Sequence, residues 1–237
     1  MRRLHVSQLF VGEVQLPERE AHHARDVLRL GVSDEVELFD DAGQTALGVV
    51  QKADGTGFLV QVDSITHATR ASVKITVASA VPKGDRADWL VEKLSEIGVD
   101  RFIPLHTERS VVLPTGKGKR DRWLRLAIES AKQSRRAGVM QIDELTPLDQ
   151  AIGALAPAAA GWYFSTEDDG AIPMAEIIRG LSASEILLAI GPEGGWTSQE
   201  LSRMRECGLT AVRLTATILR VETAAIAAAA IVAALAT

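Results

Sequence analysis

Cysteine is almost missing from this chain of 237 residues, where Cys207 is the only one. A single thiol excludes an intramolecular disulfide and a cysteine-rich zinc site, and it suits a reducing, cytoplasmic setting. No metal is expected. Long apolar runs are missing too. The start carries Arg2 and Arg3, meets Glu13 soon after, and has no apolar stretch of the kind a secretory signal needs. The tail 224–236 is apolar but only thirteen residues long and mostly alanine. That is too short and too weakly hydrophobic to span a bilayer, so a buried or interface helix is expected and no membrane. Absent as well is the GxxxxGK[ST] pattern of a phosphate loop: the turn Gly191-Pro192-Glu193-Gly194-Gly195 holds a carboxylate and no lysine. Glu193 would repel phosphate, so the turn suits a neutral or cationic ligand better than a nucleoside triphosphate.

What is present is ordinary in bulk and uneven in place. With 46% hydrophobic and 24% charged residues the chain reads as a soluble globular protein, long enough for one large domain or two modest ones. Its formal net charge of −5 conceals a segment, 109–136, that carries +7 while the rest carries −12. A local basic block in an acidic chain is the footprint expected of a polyanion held at one face. A solvated basic helix face is the alternative.

Hydrophobic periodicity changes character near residue 70. Before it, strands are predicted at 35–39, 46–50 and 58–62, separated by Asp40-Asp41-Ala42-Gly43 and Asp54-Gly55-Thr56-Gly57 turns, with one helix over 18–30. This is the pattern of a small β-barrel. From Val73 onward strands at 73–81, 101–106, 161–165, 186–190 and 211–215 alternate with helices at 85–97, 120–136, 198–207 and 222–236. Such alternation predicts an α/β domain with a mainly parallel sheet covered by helices on both faces. Ligands bind such sheets at the carboxyl ends of strands. The boundary is expected within 66–72, giving domains 1–70 and 71–237.

The chemistry concentrates near the C-terminus. An apolar run, Glu185 to Ile190, reads as a buried strand and leads into the glycine turn. Thr197-Ser198-Gln199-Glu200 then starts a helix with a capping-box pattern. Strand, glycine-rich turn and helix start together make a small-ligand cradle, because glycine admits close approach and the exposed amides can bind. A second motif, Leu219-Arg220-Val221-Glu222-Thr223-Ala224, follows.

Five segments stand in a fixed order: His23 to Arg29; Lys83-Gly84-Asp85-Arg86 with Glu92-Lys93 and Glu96-Ile97-Gly98-Val99; Glu108-Arg109-Ser110; Ala131 to Arg136; and the two C-terminal motifs. In this order and spacing the chain resembles the RsmE family. Its members are SPOUT-superfamily methyltransferases that modify N3 of a uridine in the decoding region of 16S small-subunit ribosomal RNA. The resemblance implies a PUA-like β-barrel that helps hold RNA, followed by an α/β domain with a deep trefoil knot. It also implies S-adenosylmethionine as methyl donor, a homodimer, and 16S rRNA or the small ribosomal subunit as partner. One departure is Thr215, where the family usually has glycine before Ile-Leu-Arg. Another is Ala137-Gly138-Val139-Met140, where the family tends to place a proline.

Within that resemblance Ile190, Gly191, Pro192, Gly194, Gly195, Leu214, Ile218 and Leu219 are expected to hold the donor. Core packing is the alternative for the apolar Leu214, Ile218 and Leu219. Uridine N3 is a weak acid with a pKa about two units above neutral, so roughly 3 kcal/mol opposes its anion at pH 7. Catalysis needs a base, or a cation to stabilise charge on the O2 and O4 edges. Arg220 suits the cation role. Glu222 takes the proton or orients the arginine, or is simply a first-turn acid favoured by the helix dipole. Arg136 and Gln133 lie three apart on one helix face and could grip phosphate and a base edge, Arg136 being also a catalytic candidate. Arg29, Lys83, Arg86, Arg109, Lys117, Lys119 and Arg120 complete the expected RNA contacts. His22 and His23 read as surface or barrel-packing residues, Trp89 and Trp123 as core or interface residues. Two other functions remain open: a ribose 2′-O-methyltransferase of the same superfamily, and a non-catalytic RNA-binding assembly factor.

Overall fold

The computed structural model describes residues 1–67, 73–114, 116–154, 159–166 and 168–235. They group into two units, Met1–Arg70 with Ala131–Val139, and Ala71–Ser130 with Met140–Thr237. Residues 68–72, where the sequence puts most of the boundary, lie outside the described residues. The inclusion of 131–139 in the first unit is something a single cut near residue 70 does not provide for.

The first unit is built on period-two burial. Val36, Leu38, Val60 and Val62 are fully buried while their strand neighbours are not, except at the ends. Its strands are β1 (Arg2–His5), β2 (Gly12–Gln15), β3 (Glu35–Phe39), β4 (Gln44–Asp54), β5 (Gly57–Val62) and β6 (Thr66–His67). They pair in the order β1-β3-β4-β5-β2, with β6 beside β4. Only β1 and β3 run parallel. Helix α1 (Glu18–His22) is shorter than the sequence expectation over 18–30. It continues as a wider turn over His23–Val27, in which Leu28 N–H donates to the His23 carbonyl at 2.9 Å. Arg29 then takes a left-handed conformation, φ 56°, and ends the helix.

The segment 131–139 is fixed within this unit by buried charge. Lys132 Nζ meets Glu20 Oε1 at 2.6 Å with both side chains buried, and Arg3 Nη1 donates to the Ala131 carbonyl at 2.9 Å. Breaking such a buried pair from one side costs about 3–5 kcal/mol.

The second unit holds β7 (Lys74–Ala80), α2 (Asp85–Ile97), β8 (Arg101–His106) and α3 (Lys117–Ser134), whose last turn from Ala131 belongs to the first unit. Then come β9 (Gln141–Ile142), β10 (Thr146–Pro147), α4 (Leu148–Gly153), β11 (Ala160–Phe164), β12 (Ile172–Pro173) and α5 (Met174–Ile177). The chain ends with β13 (Glu185–Ile190), α6 (Ser198–Glu206), β14 (Thr210–Arg213) and α7 (Val221–Leu235). Every ladder is parallel, in the order β10-β8-β7-β13-β11-β14-β12 with β9 beside β8. One face buries Ala78, Ile103, Leu187 and Tyr163 against α4 and α6. On the other face α7 packs on β7 and β13 and lies beside α2. Helix α7 buries Ala225, Ala228, Ala229 and Val232; residue 236 of the expected tail helix lies outside the described residues. Among the described residues no helix is long and apolar enough to cross a membrane.

Candidate active site

Strands β13, β11 and β14 lie side by side in parallel, so their carboxyl ends open together. The segments leaving them wall a cavity of about 360 Å³, at the lower end of the range of about 300–1,000 Å³ usual for ligand sites. All eight residues expected to hold the donor line it, Ile190, Gly191, Pro192, Gly194, Gly195, Leu214, Ile218 and Leu219, together with Arg220. Phe164, Ser165, Thr166, Trp196 and Leu201 also line it and were not foreseen. The available signal for the first three was the end of the predicted strand 161–165, since β11 proves to be the strand next to β13.

The three glycines serve the turn's own packing. A Cβ on Gly191 would lie 2.8 Å from Trp196 Cε2, so the indole fills the space glycine leaves. A Cβ on Gly194 would meet the Arg109 stem at 3.3 Å. Gly195 has φ 73°, where other residues are strained, and its N–H closes the turn on the Pro192 carbonyl at 2.9 Å. Trp196 Nε1 donates to the Phe164 carbonyl at 3.0 Å, tying the ends of β13 and β11 together. Thr215, the departure from the family pattern, spends its hydroxyl inside its own loop by donating to the Thr217 carbonyl at 2.7 Å. Behind the 164–166 wall, buried Tyr163 donates to Asp168 Oδ2 at 2.7 Å, and Arg205 bonds both groups. The Tyr163 hydrogen bond holds the Asp168 carboxyl below its usual range against partial burial, with Arg205 assisting. Burial, then the bond to Asp168, push the Tyr163 phenol up.

Among the described residues two charged side chains line the cavity, Glu193 and Arg220, both exposed. The Arg220 carbonyl accepts the Ala224 N–H at 2.9 Å, so Arg220 sits at the start of α7. Ile218 on the apolar wall is 85% exposed. Glu222 is not on the wall. Its buried carboxylate meets Arg86 Nη1 at 3.4 Å through Oε1, while Oε2 has no hydrogen-bond partner among the described residues. The sequence reading has Glu222 take the proton or orient Arg220; in the structure it pairs with Arg86, which that reading assigned to RNA.

The remaining RNA candidates are dispersed. Arg29, Gln133 and Arg136 belong to the first unit; Arg29 and Gln133 are exposed there. In the second unit Lys83 is exposed, and Arg109 Nη1 donates to the Gly194 carbonyl at 2.7 Å. Lys119 and Arg122 both pair with Asp88, at 3.2 and 2.6 Å, and Arg120 reaches Glu144 at 3.7 Å. Burial opposes the charge on Asp88, but hydrogen bonds from Lys119 and Trp123 and the charge of Arg122 outweigh it and hold its carboxyl below the usual range. The basic block is therefore partly neutralised in place. Lys117 begins α3, and the description does not extend to its side chain. Trp123 is core, whereas Trp89 is 45% exposed. Among the described residues no group of three or more His, Cys, Asp or Glu could hold a metal.

A parallel α/β unit with this cavity at its strand ends matches, over residues 69–233, the family described as RNA methyltransferase domain, and residues 16–63 match the RNA methyltransferase PUA domain. The chain is thus of the RNA methyltransferase class, with a PUA domain and a methyltransferase domain. It is 31% identical to ribosomal RNA small subunit methyltransferase E of Bacillus subtilis (strain 168), over 86% of this chain and 83% of that one. It is 30% identical to the protein of the same name from a Synechocystis species, over 92% of this chain and 71% of that one. The solved structure of ribosomal RNA small subunit methyltransferase E from Neisseria gonorrhoeae, bound to S-adenosyl methionine, superposes with a TM-score of 0.86 at 29% identity, covering 99% of this chain and 98% of that one. The chain belongs to the ribosomal RNA small subunit methyltransferase E family.

Proposed function

We propose that this protein transfers the methyl group of S-adenosylmethionine to N3 of a uridine in 16S small-subunit ribosomal RNA. The observation that carries the proposal is the cavity at the ends of β11, β13 and β14, lined by all eight donor-binding candidates with Arg220 on its wall. The residues fit the donor's chemistry. Phe164, Ile190, Leu201, Leu214, Ile218 and Leu219 provide apolar walls for an adenosine, and the 191–195 turn and 214–219 loop provide main-chain polar groups. Glu193 provides a negative charge suited to a sulfonium or ammonium. When bound, the donor supplies an electrophilic methyl group.

The protein's own task is to make N3 ready to accept it. Arg220, the one cation on the wall among the described residues, stabilises the charge that builds on the O2 and O4 edges as the N3 proton leaves. It thereby offsets part of the roughly 3 kcal/mol that opposes the anion at neutral pH. Solvent can then take the proton. Glu222 and Arg86 pair the first turns of α7 and α2 and so hold the base of Arg220's helix. Exposed Arg29, Lys83 and Gln133 make RNA contacts in this scheme, with Arg136, Lys117, Lys119 and Arg120.

Further parts of the proposal concern architecture. The first unit's sheet closes as a PUA-like barrel, and the second unit carries the SPOUT trefoil knot. The protein works as a cytoplasmic homodimer through the outward side of α7. Mass mapping of modified nucleosides in small-subunit rRNA, with and without the gene, tests the function. Loss of a single 3-methyluridine is expected. Loss of a 2′-O-methylated nucleoside instead would establish the ribose enzyme, and an unchanged map would leave a non-catalytic assembly factor.

A further inference from the structure

The peptide between Gly194 and Gly195 is flanked by glycine on both sides, and the barrier to rotating such a peptide plane is low because neither side carries a Cβ. Yet this plane is held at both ends. Its N–H, from Gly195, donates to the Pro192 carbonyl at 2.9 Å, and its oxygen, from Gly194, accepts from Arg109 Nη1 at 2.7 Å. The Arg109 stem also packs where a Cβ on Gly194 would stand, 3.3 Å from Arg109 Cβ and 3.4 Å from Cδ. Arg109 is itself held by the turn it stands on. Ser110 N–H donates to the Thr107 carbonyl at 3.1 Å, and Glu108 N–H donates to Glu200 Oε1 at 2.9 Å. Glu200 is buried, and its other oxygen accepts from Thr197 N–H at 2.8 Å in the capping box of α6. Buried Glu200 therefore joins the Thr107–Ser110 turn to the start of α6, and Arg109 reaches from that turn to the cavity wall.

We propose that Arg109 is a positioning residue of the donor site, which fixes the Gly194–Gly195 peptide in its binding orientation, and not one of the RNA contacts expected of the basic block. The inference rests on the cavity being the donor site. Without Arg109 the plane samples more than one orientation, and apparent donor affinity falls by the fraction of molecules in the competent one. Lysine can donate to the same carbonyl and keep most of the stem; methionine keeps the stem and cannot donate.

The test is calorimetric titration of the intact protein with S-adenosylhomocysteine, alongside the salt dependence of rRNA binding, for wild type, Arg109→Ala, Arg109→Lys and Arg109→Met. Because Arg109 is exposed, all four are expected to fold, checked by unchanged thermal midpoints. The donor-product Kd should rise about tenfold in Arg109→Ala and Arg109→Met and recover in Arg109→Lys, with the RNA salt slope unchanged in all. Wild-type Kd in Arg109→Ala, or a flattened salt slope with unaltered Kd, overturns the inference. A wild-type protein that binds no S-adenosylhomocysteine overturns the donor-site assignment itself.

Discussion

The indole of Trp196 occupies the space that a Cβ on Gly191 would need, with Cε2 2.8 Å and Cδ2 3.1 Å from that position. Because Trp196 Nε1 also holds the Phe164 carbonyl, moving the ring loosens two sides of the cavity at once. Gly191→Ala is therefore expected to cost about 1–3 kcal/mol, as overpacking does, and to weaken donor binding. Replacing Trp196 by leucine in the Gly191→Ala background should recover part of the stability, giving a coupling energy of at least about 0.5 kcal/mol. Urea denaturation of the four proteins in that cycle measures it. Strictly additive losses would mean that the ring and the glycine are not in contact.

The elements that were legible in the sequence carry local signals. Helix α2 begins at Asp85 and ends at Gly98, whose φ of 102° is the left-handed stop glycine permits, and both were readable without any partner. Strand β1 was not read, because Arg3 sits inside it; the structure buries that arginine over the Phe39 ring at 4.2 Å and beside Glu37 at 3.3 Å. No periodicity of apolar residues reports a buried cation. The cavity's C-terminal walls were legible since the glycine turn and the 218–224 motif lie within the sequence span they act in. Phe164 and Arg109 were not, because only the strand order β8-β7-β13-β11 decides which loops leave neighbouring strands. The pairing of the basic block was hidden for the same reason: Asp88, thirty-one residues before Lys119, shares its one negative charge between Lys119 and Arg122.

Arg220 lines the cavity with an exposed side chain and a helix start behind it. Arg220→Ala should slow single-turnover methylation at least tenfold, equivalent to about 1.4 kcal/mol of transition-state stabilisation, with donor affinity little changed. A loss confined to donor affinity would make Arg220 part of the donor wall only.

For Glu222 the geometry sets a different expectation. Its carboxylate faces Arg86 at 3.4 Å and stands off the cavity wall. Glu222→Gln should keep the rate within about tenfold of wild type, and the two pH profiles should run parallel from neutral pH up to the N3 pKa. A variant that is inactive near neutrality and recovers as pH rises would restore Glu222 as the proton acceptor.

Asp168 carries the acid-side pH dependence of the 164–166 wall. Its folded pKa is depressed, first by the Tyr163 hydrogen bond and then by Arg205. A depressed carboxylate contributes stability that is complete above the usual carboxylate range, about pH 4, and is lost as pH falls through its own lower pKa. Asp168→Asn should thus lower the urea midpoint near pH 7, and the gap to wild type should close as pH falls below the usual carboxylate range. A gap of constant size over that range would mean the lost contact is not one of charge.

The last expectation concerns the side of α7 that its own unit does not cover. From Thr223 to Leu235 the helix has no charged residue, and burying Ala225, Ala228, Ala229 and Val232 against the sheet and α2 leaves its outward side exposed. Leu235 stays 64% exposed and Ile231 36%, and Trp89 on the adjoining α2 stays 45% exposed. A helix with no polar side in water is stable only when its second side is covered as well, and a second copy offers the same apolar surface about a two-fold axis. Sedimentation equilibrium at micromolar concentration should therefore give about twice the 25.4 kDa chain mass for wild type. Ile231→Glu, or Trp89→Glu, should shift the mass towards one chain without unfolding the protein, since both side chains are already partly in water. A wild-type mass of one chain with full methylation activity would refute the dimer and leave the alanine-rich surface uncovered in solution.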